Sequence, residues 1–145
     1  MKGIYKGGIR ICKCWAGAKH PGLDLVGLED KAIHSPVDGL VRASCRVNDQ
    51  DNPVWKWGNF VRVDDLATGQ RYYFCHLALR KVRQGQQVQA GDVIGLEGAT
   101  GYAGFSHCHV EVRAPGVGRD SLNAAEALGL PNRVGEYPEG EGPAE

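Results

Sequence analysis

Five histidines punctuate the chain, at positions 20, 34, 76, 107 and 109, and three of the segments that hold them could do chemistry. KHPGLDL sets His20 four residues before Asp24, RYYFCHL carries His76, and GFSHCHVEVR sets His107 and His109 two apart. Side chains of an extended segment alternate with a period of two. His107, His109 and Glu111 therefore share one face, and Cys108, Val110 and Val112 take the other. Pro21 and Gly22 disfavour a helix after His20, and an extended segment there places His20 and Asp24 on one side. The same rule pairs Phe74 with His76 and puts Tyr73, Cys75 and Leu77 opposite. Cys75 and Cys108 then point away from the histidines beside them and read as small buried hydrophobes. Two histidines and a carboxylate are a common open zinc set, with a fourth position left for water. Spacing does not say which histidines bind. Same-face neighbours on a strand lie ~6–7 Å apart, so H-x-H can supply two ligands, or one ligand and one acid/base group.

The elements that must hold these groups are short. Apolar runs recur between turn signals in AIHSPVDGLVRAS, GNFVRVDD, QRYYFCHLAL, QQVQAGDVIGLEG and HCHVEVR. That rhythm predicts an all-β fold of antiparallel sheets, a sandwich or partly closed barrel. Glycine supports it, with 21 of 145 residues, about twice the usual ~7%. DDLATGQ reads as a hairpin connection with Gly69 at a positive φ. Only DSLNAAEALGLP looks helical, capped by Asp120 or Ser121 and stopped by Gly129 and Pro131. The length suits one domain over residues 1–133. The acidic, Gly/Pro-rich stretch 134–145 is expected to be disordered.

Composition excludes several classes. Lys plus Arg and Asp plus Glu both total 17. Setting aside the four glutamates of 134–145 leaves residues 1–133 at +4, short of a nucleic-acid footprint. No apolar run of about 18 residues offers a membrane span, and MKGIYKGGIRICKCW lacks a signal peptide's apolar region, so synthesis in the cytoplasm is expected. An odd five cysteines predict reduced thiols. Cys12 and Cys14 form one C-x-C, too little for a structural zinc site.

HPGLD, then SPVDGLV, FCHL, VRQGQQVQAGDVIGLEGATG and HCHVEVR resemble, in order and over residues 20–113, the lysostaphin/LytM-type zinc endopeptidases of peptidoglycan. The resemblance implies a fold of the duplicated hybrid motif type. It implies one Zn²⁺ held by His20, Asp24 and His109, with His76 and His107 handling protons and charge in hydrolysis of stem or cross-bridge peptides. Glu111, Phe74, Tyr102 and Phe105 are expected around the metal or along the cleft, and His34 outside it. Trp55 and Trp57 fit either a cleft wall or packing. Phe74, Phe105 and ICKCWAGAK depart from the family pattern in segments that border the cleft. With no recognisable wall-binding module, the chain resembles a phage or prophage lysis enzyme acting at the cell wall. Two other readings stand beside it. One is a non-catalytic relative that activates a wall amidase, which retention of the three ligands disfavours. The other is a histidine phosphocarrier, which a carboxylate beside the histidines disfavours.

Overall fold

The computed structural model describes residues 1–47, 49–116 and 118–138. Within them run β1 (Ile9–Lys13), β2 (Leu23–Gly27), β3 (Ala32–His34), β4 (Gly39–Cys45), β5 (Asn59–Asp65), β6 (Arg71–Leu77), β7 (Leu79–Arg80), β8 (Gln87–Val88), β9 (Val93–Leu96), β10 (Cys108–Arg113), β11 (Ser121–Leu122), α1 (Ala124–Leu128) and β12 (Gly135–Tyr137). One large sheet has the order β12-β1-β2-β10-β6-β5-β4-β8, with β11 also against β10. The strands β3, β9 and β7 form a second, small sheet. Neighbours pair antiparallel throughout, and neither sheet closes. The all-β architecture with one short C-terminal helix is as the turn spacing predicts, in its layered and open form.

Alternation explains the layers. Val61 and Val63 are fully buried, whereas Arg62 and Asp64 turn outward and pair at 2.8 and 2.9 Å. One face of the large sheet presents Leu23, Leu25, Val41, Tyr72, Phe74, Val110 and Val112, and Ile33 and Ile94 of the small sheet pack into the same core. Each such side chain contributes about 1.5–3 kcal/mol on burial. The opposite face carries a smaller cluster of Val47, Phe60, Tyr73 and Cys75, with Trp57 against Phe60 and Tyr73. That second face is where the histidines gather.

A β-bulge corrects the expected faces of β6. Asn59 pairs with Leu77 and Val61 with Phe74, so the single residue Phe60 stands opposite both Cys75 and His76. His76 takes the extra place with φ +65, the one non-glycine positive φ among the described residues. Such bulges re-aim a side chain, and a left-handed conformation is costly for a residue with a Cβ. The two-residue period fails there. Phe74, expected beside the cleft, is fully buried in the main core across from Val110. Cys75, expected to point away, stands opposite His109 on the site's own face, where burial pushes its thiol pKa up. Cys108 faces the main core as the alternation requires.

The C-terminal segment differs too. Asn123, not Asp120 or Ser121, caps α1 by accepting from the Glu126 N–H, because Ser121 and Leu122 are drawn into pairing with β10. Gly129 ends the helix in the left-handed region as expected. The segment expected to be disordered from 134 instead begins with β12, which pairs with β1 and joins Glu136 to Arg10. Residues 139–145 of that segment lie outside the described residues. Hairpin residue Gly69 has φ +75, accepting the turn that links β5 to β6.

The placement of Phe74 is checked by Phe74→Ala in urea unfolding. A core phenylalanine predicts a loss of about 3–5 kcal/mol. An unchanged midpoint with weakened peptide binding would mean that Phe74 lines the cleft after all.

Candidate metal and catalytic centre

Three elements bring the first group together. A 3-10 turn at Gly17–Lys19 ends on His20, whose extended backbone leads through Pro21 and Gly22 into β2. Asp24 lies in β2 and is the register partner of His109 in β10. The Asp24 carboxylate takes both histidines, with Oδ2 3.3 Å from His20 Nε2 and Oδ1 2.7 Å from His109 Nδ1. One donor atom from each of the three residues lies within 4.8 Å of the others. Gly22 makes this approach sterically feasible, since a Cβ there would sit 2.7 Å from the His109 ring and 2.6 Å from the Val110 carbonyl oxygen.

The nitrogens that face away are fixed by partners. His20 Nδ1 lies 2.7 Å from the Cys14 carbonyl oxygen, which only accepts, so Nδ1 carries the proton and Nε2 is left as the donor atom. His109 is held the other way round. Its Nε2 meets Glu111 Oε1 at 3.0 Å, leaving Nδ1 toward Asp24. Arg113 in turn holds the other Glu111 oxygen at 2.9 Å and lies 4.8 Å from the Tyr73 ring centroid. A carboxylate on the outer nitrogen is the usual way to orient a metal-binding histidine and raise its basicity. Two imidazoles and a carboxylate, each already oriented, fit Zn²⁺ with one position open.

His76 and His107 form the second group. Their ring centroids are 4.7 Å apart, and His76 is 6.2 Å from His109. His76 Nδ1 donates to the Thr100 carbonyl at 2.7 Å and His107 Nδ1 to that of Phe105 at 2.9 Å. Both Nε2 atoms are thereby left to accept, and that of His107 lies 3.8 Å from Asp24 Oδ1. Phe105 stacks on the His107 ring at 4.6 Å while remaining 52% exposed, and Tyr102 is 73% exposed beside Trp55. His34 ends β3, with Nδ1 on the Ile4 carbonyl.

Charge follows from this geometry. Burial opposes ionisation of Asp24, yet hydrogen bonds from His109 and His20 hold its carboxyl well below the usual range. Burial also opposes charge on His109, but its bonds to Asp24 and Glu111 push its pKa up to about 9 without metal. Glu111 is lowered against the cost of burial by His109 and Arg113. Burial brings His76 down to about 4, so it is neutral at pH 7.

Some supports left no mark in the residue types. The carbonyls of Cys14, Thr100 and Phe105 act through the backbone. Glu97 is buried and accepts from Tyr5 (2.7 Å), the Gly27 N–H (3.0 Å) and Ser106 (2.7 Å), with Lys31 at 3.4 Å. Together with the bond from the His107 N–H to the Gly98 carbonyl, it anchors the loop entering His107.

On an antiparallel sheet, two histidines and one carboxylate thus form a cluster that could hold a metal ion, with two more histidines alongside. The pattern of peptidase family M23 matches residues 18–123, and the chain belongs to that family. It is 31% identical over 116 residues to the cell division protein DipM of Caulobacter vibrioides, covering 79% of this chain but only 18% of DipM. The catalytic domain of lysostaphin from Staphylococcus simulans superposes with a TM-score of 0.66 at 22% identity, over 86% of this chain and 92% of that domain. A zinc-containing peptidase from Vibrio cholerae gives a TM-score of 0.57 at 27% identity, over 70% of this chain and 29% of that one.

The charge pattern sets how the metal-free protein responds to pH. The lowered Asp24, Glu97 and Glu111 contribute stability that is present above their unfolded values, near pH 4, and lost as pH falls through their folded ones. The raised His109 contributes stability that is complete below its unfolded pKa of ~6.5 and lost as pH rises through about 9. The lowered His76 costs stability as pH falls from its unfolded ~6.5 toward about 4, so melting temperature in chelator should peak near pH 6.5. A melting temperature that climbs from pH 6.5 to 9 would refute the charged His109.

Proposed function

We propose that the chain is a zinc-dependent endopeptidase that hydrolyses peptide bonds in the stem or cross-bridge peptides of bacterial peptidoglycan. The observation that carries this reading is the division of the four histidines. In each, one ring nitrogen is held by a fixed partner, and the rings gather closely, with His20 5.1 Å and His76 6.2 Å from His109 and His76 4.7 Å from His107. His20 through Nε2, Asp24 through its carboxylate and His109 through Nδ1 would hold the ion. Zinc in such a set polarises a carbonyl and lowers the pKa of water toward about 7. Nε2 of neutral His76 is poised to accept the proton of the attacking water. That proton would then pass from His76 to the leaving amine, and His107, once a second proton is on its Nε2, would steady charge on the carbonyl oxygen. Glu111 acts on His109 alone, keeping Nδ1 turned inward.

Family membership removes the phosphocarrier reading. The chain spans 18% of DipM, so that protein's role is not transferable as a whole. Its description as a cell division protein nevertheless favours a second reading, a wall-remodelling module that binds and activates an amidase. All three candidate ligands are present and in reach of one another, which supports hydrolysis by this chain itself. Under either reading it works at the bacterial cell wall. Among the described residues no helix is long and apolar enough to cross a membrane.

Purified walls and metal analysis separate these readings. The wild type should carry about one zinc and release new free amines, an activity that chelator removes. His107→Ala and His76→Ala should keep zinc and lose about 10²–10⁴ in rate, the usual contribution of an acid/base group. His20→Ala should lose zinc and activity together. A zinc-loaded wild type that frees no amines, but accelerates an added amidase, would establish the activator.

A further inference from the structure

Beside the histidines lies a cleft of about 700 Å³ that the reaction as described does not use. Its walls include Arg46, Gln50, Trp55, Asn59, Arg80 and Thr100. It is continuous with the catalytic centre through Thr100, whose carbonyl orients His76 and whose hydroxyl accepts from the Asn59 N–H and donates to the Leu77 carbonyl. The backbone is held tightly there. Gly58, at φ +64, packs so closely on Thr100 that a Cβ would lie 2.4 Å from its carbonyl carbon. A group seated in the cleft is therefore in fixed register with His76.

The charge of this cleft is one-sided. Arg46 and Arg80 both line it, and among the described residues no aspartate or glutamate does. Among the described residues, neither arginine forms an ion pair, in contrast to Arg10, Arg42, Arg62 and Arg113, which all have carboxylate partners. Arg80 is positioned by one Nη1, which donates to the Ser44 carbonyl and hydroxyl at 3.0 and 3.1 Å, and its other guanidinium donors stay free of protein partners. Asp49, three residues after Arg46 in sequence, accepts from the Asp51 N–H of its own loop. A planar guanidinium with donors left over suits a carboxylate.

We infer that this cleft is a carboxylate subsite, in which Arg46 and Arg80 grip a free carboxylate of the substrate peptide close to the bond cut at His76 and His107. The inference rests on the peptidase reading and sharpens it. A directly cross-linked stem peptide carries such carboxylates, whereas a polyglycine bridge is uncharged along its length, so the structure assigns the chain to anionic, directly cross-linked peptides. The arginines act by binding and positioning, and no covalent step involves them.

The test uses two synthetic cross-linked stem peptides that differ only in having their carboxylates free or amidated, together with pentaglycine. A charge-assisted hydrogen bond is worth about 1.5–3 kcal/mol, or about 10–150-fold in affinity. For the zinc-loaded wild type, KM for the amidated peptide should exceed that for the free acid by about that factor, and pentaglycine should be poorest. Arg46→Gln and Arg80→Gln should each raise KM for the free acid, and the double variant should no longer distinguish acid from amide. Arg133→Gln, exposed outside the cleft, should preserve the discrimination. Calorimetric titration of the same peptides onto His107→Ala protein keeps the two readings apart. Arginine-dependent preference for the free acid, together with a zinc-loaded wild type that hydrolyses neither stem peptide, upholds the subsite while overturning the peptidase. Equal affinity for acid and amide, or a preference for pentaglycine, overturns the subsite whatever the catalytic outcome.

Discussion

One carboxylate meets two histidines that arrive from separate parts of the chain, and the sheet is ordered around that meeting. Asp24 sits in β2, between β1 and β10, so His20 reaches it from its own N-terminal side and His109 from the neighbouring strand. Removing such a carboxylate from water is costly unless every lone pair finds a partner. Here the cost is offset by two imidazoles, and those imidazoles are fixed in turn by the Cys14 carbonyl and by Glu111 with Arg113. The result is a dense set of buried polar groups, and among the described residues no buried side-chain nitrogen or oxygen lacks a partner. A metal ion held by His20, Asp24 and His109 would take the place of the proton on His109 Nδ1.

The second constraint is the bulge in β6. A regular strand would have sent the His76 side chain to the main core's face, because Phe74 points there and the period is two. One extra residue opposite Phe60 turns it back to the face that carries His107 and His109. The strained backbone at φ +65 is held by pairing on both sides of the bulge and by the bond from Nδ1 to Thr100. Thr100 thus belongs at once to the proton-handling pair and to the arginine-lined cleft.

Much of this was legible in the chain. Alternation through Val61–Val63 and through Cys108–Val112 reports the buried face directly, because strands with one wet face must alternate. Turn glycines such as Gly69 and Gly129 mark positions that only a positive φ satisfies. His107, His109 and Glu111 fall on one face because β10 is regular. Where the sequence misled, the local rule had been overridden from elsewhere. The bulge moved Phe74 into the core and Cys75 under His109, and nothing in RYYFCHL announces it, since its residue at positive φ is a histidine rather than a glycine. The acidic stretch after Arg133 has the composition of a disordered tail, yet Gly135–Tyr137 find a free edge on β1, a long-range pairing that composition does not report. Cys14, Thr100 and Phe105 support the histidines through carbonyls, which every residue has. Glu97, more than 60 residues from Tyr5 and Gly27, becomes meaningful only when the fold gathers its donors.

The central claim is that His20 and His109 offer opposite ring nitrogens to the metal because their outer partners differ. Long-range ¹H–¹⁵N correlation spectra of the zinc-loaded protein read this directly, since the coordinated and protonated nitrogens of each ring have distinct shifts. The account predicts His20 bound through Nε2 with Nδ1 protonated, and His109 bound through Nδ1 with Nε2 protonated. It also predicts His76 and His107 uncoordinated and protonated at Nδ1. Coordination of His109 through Nε2, or of His107 in place of either ligand, would contradict it.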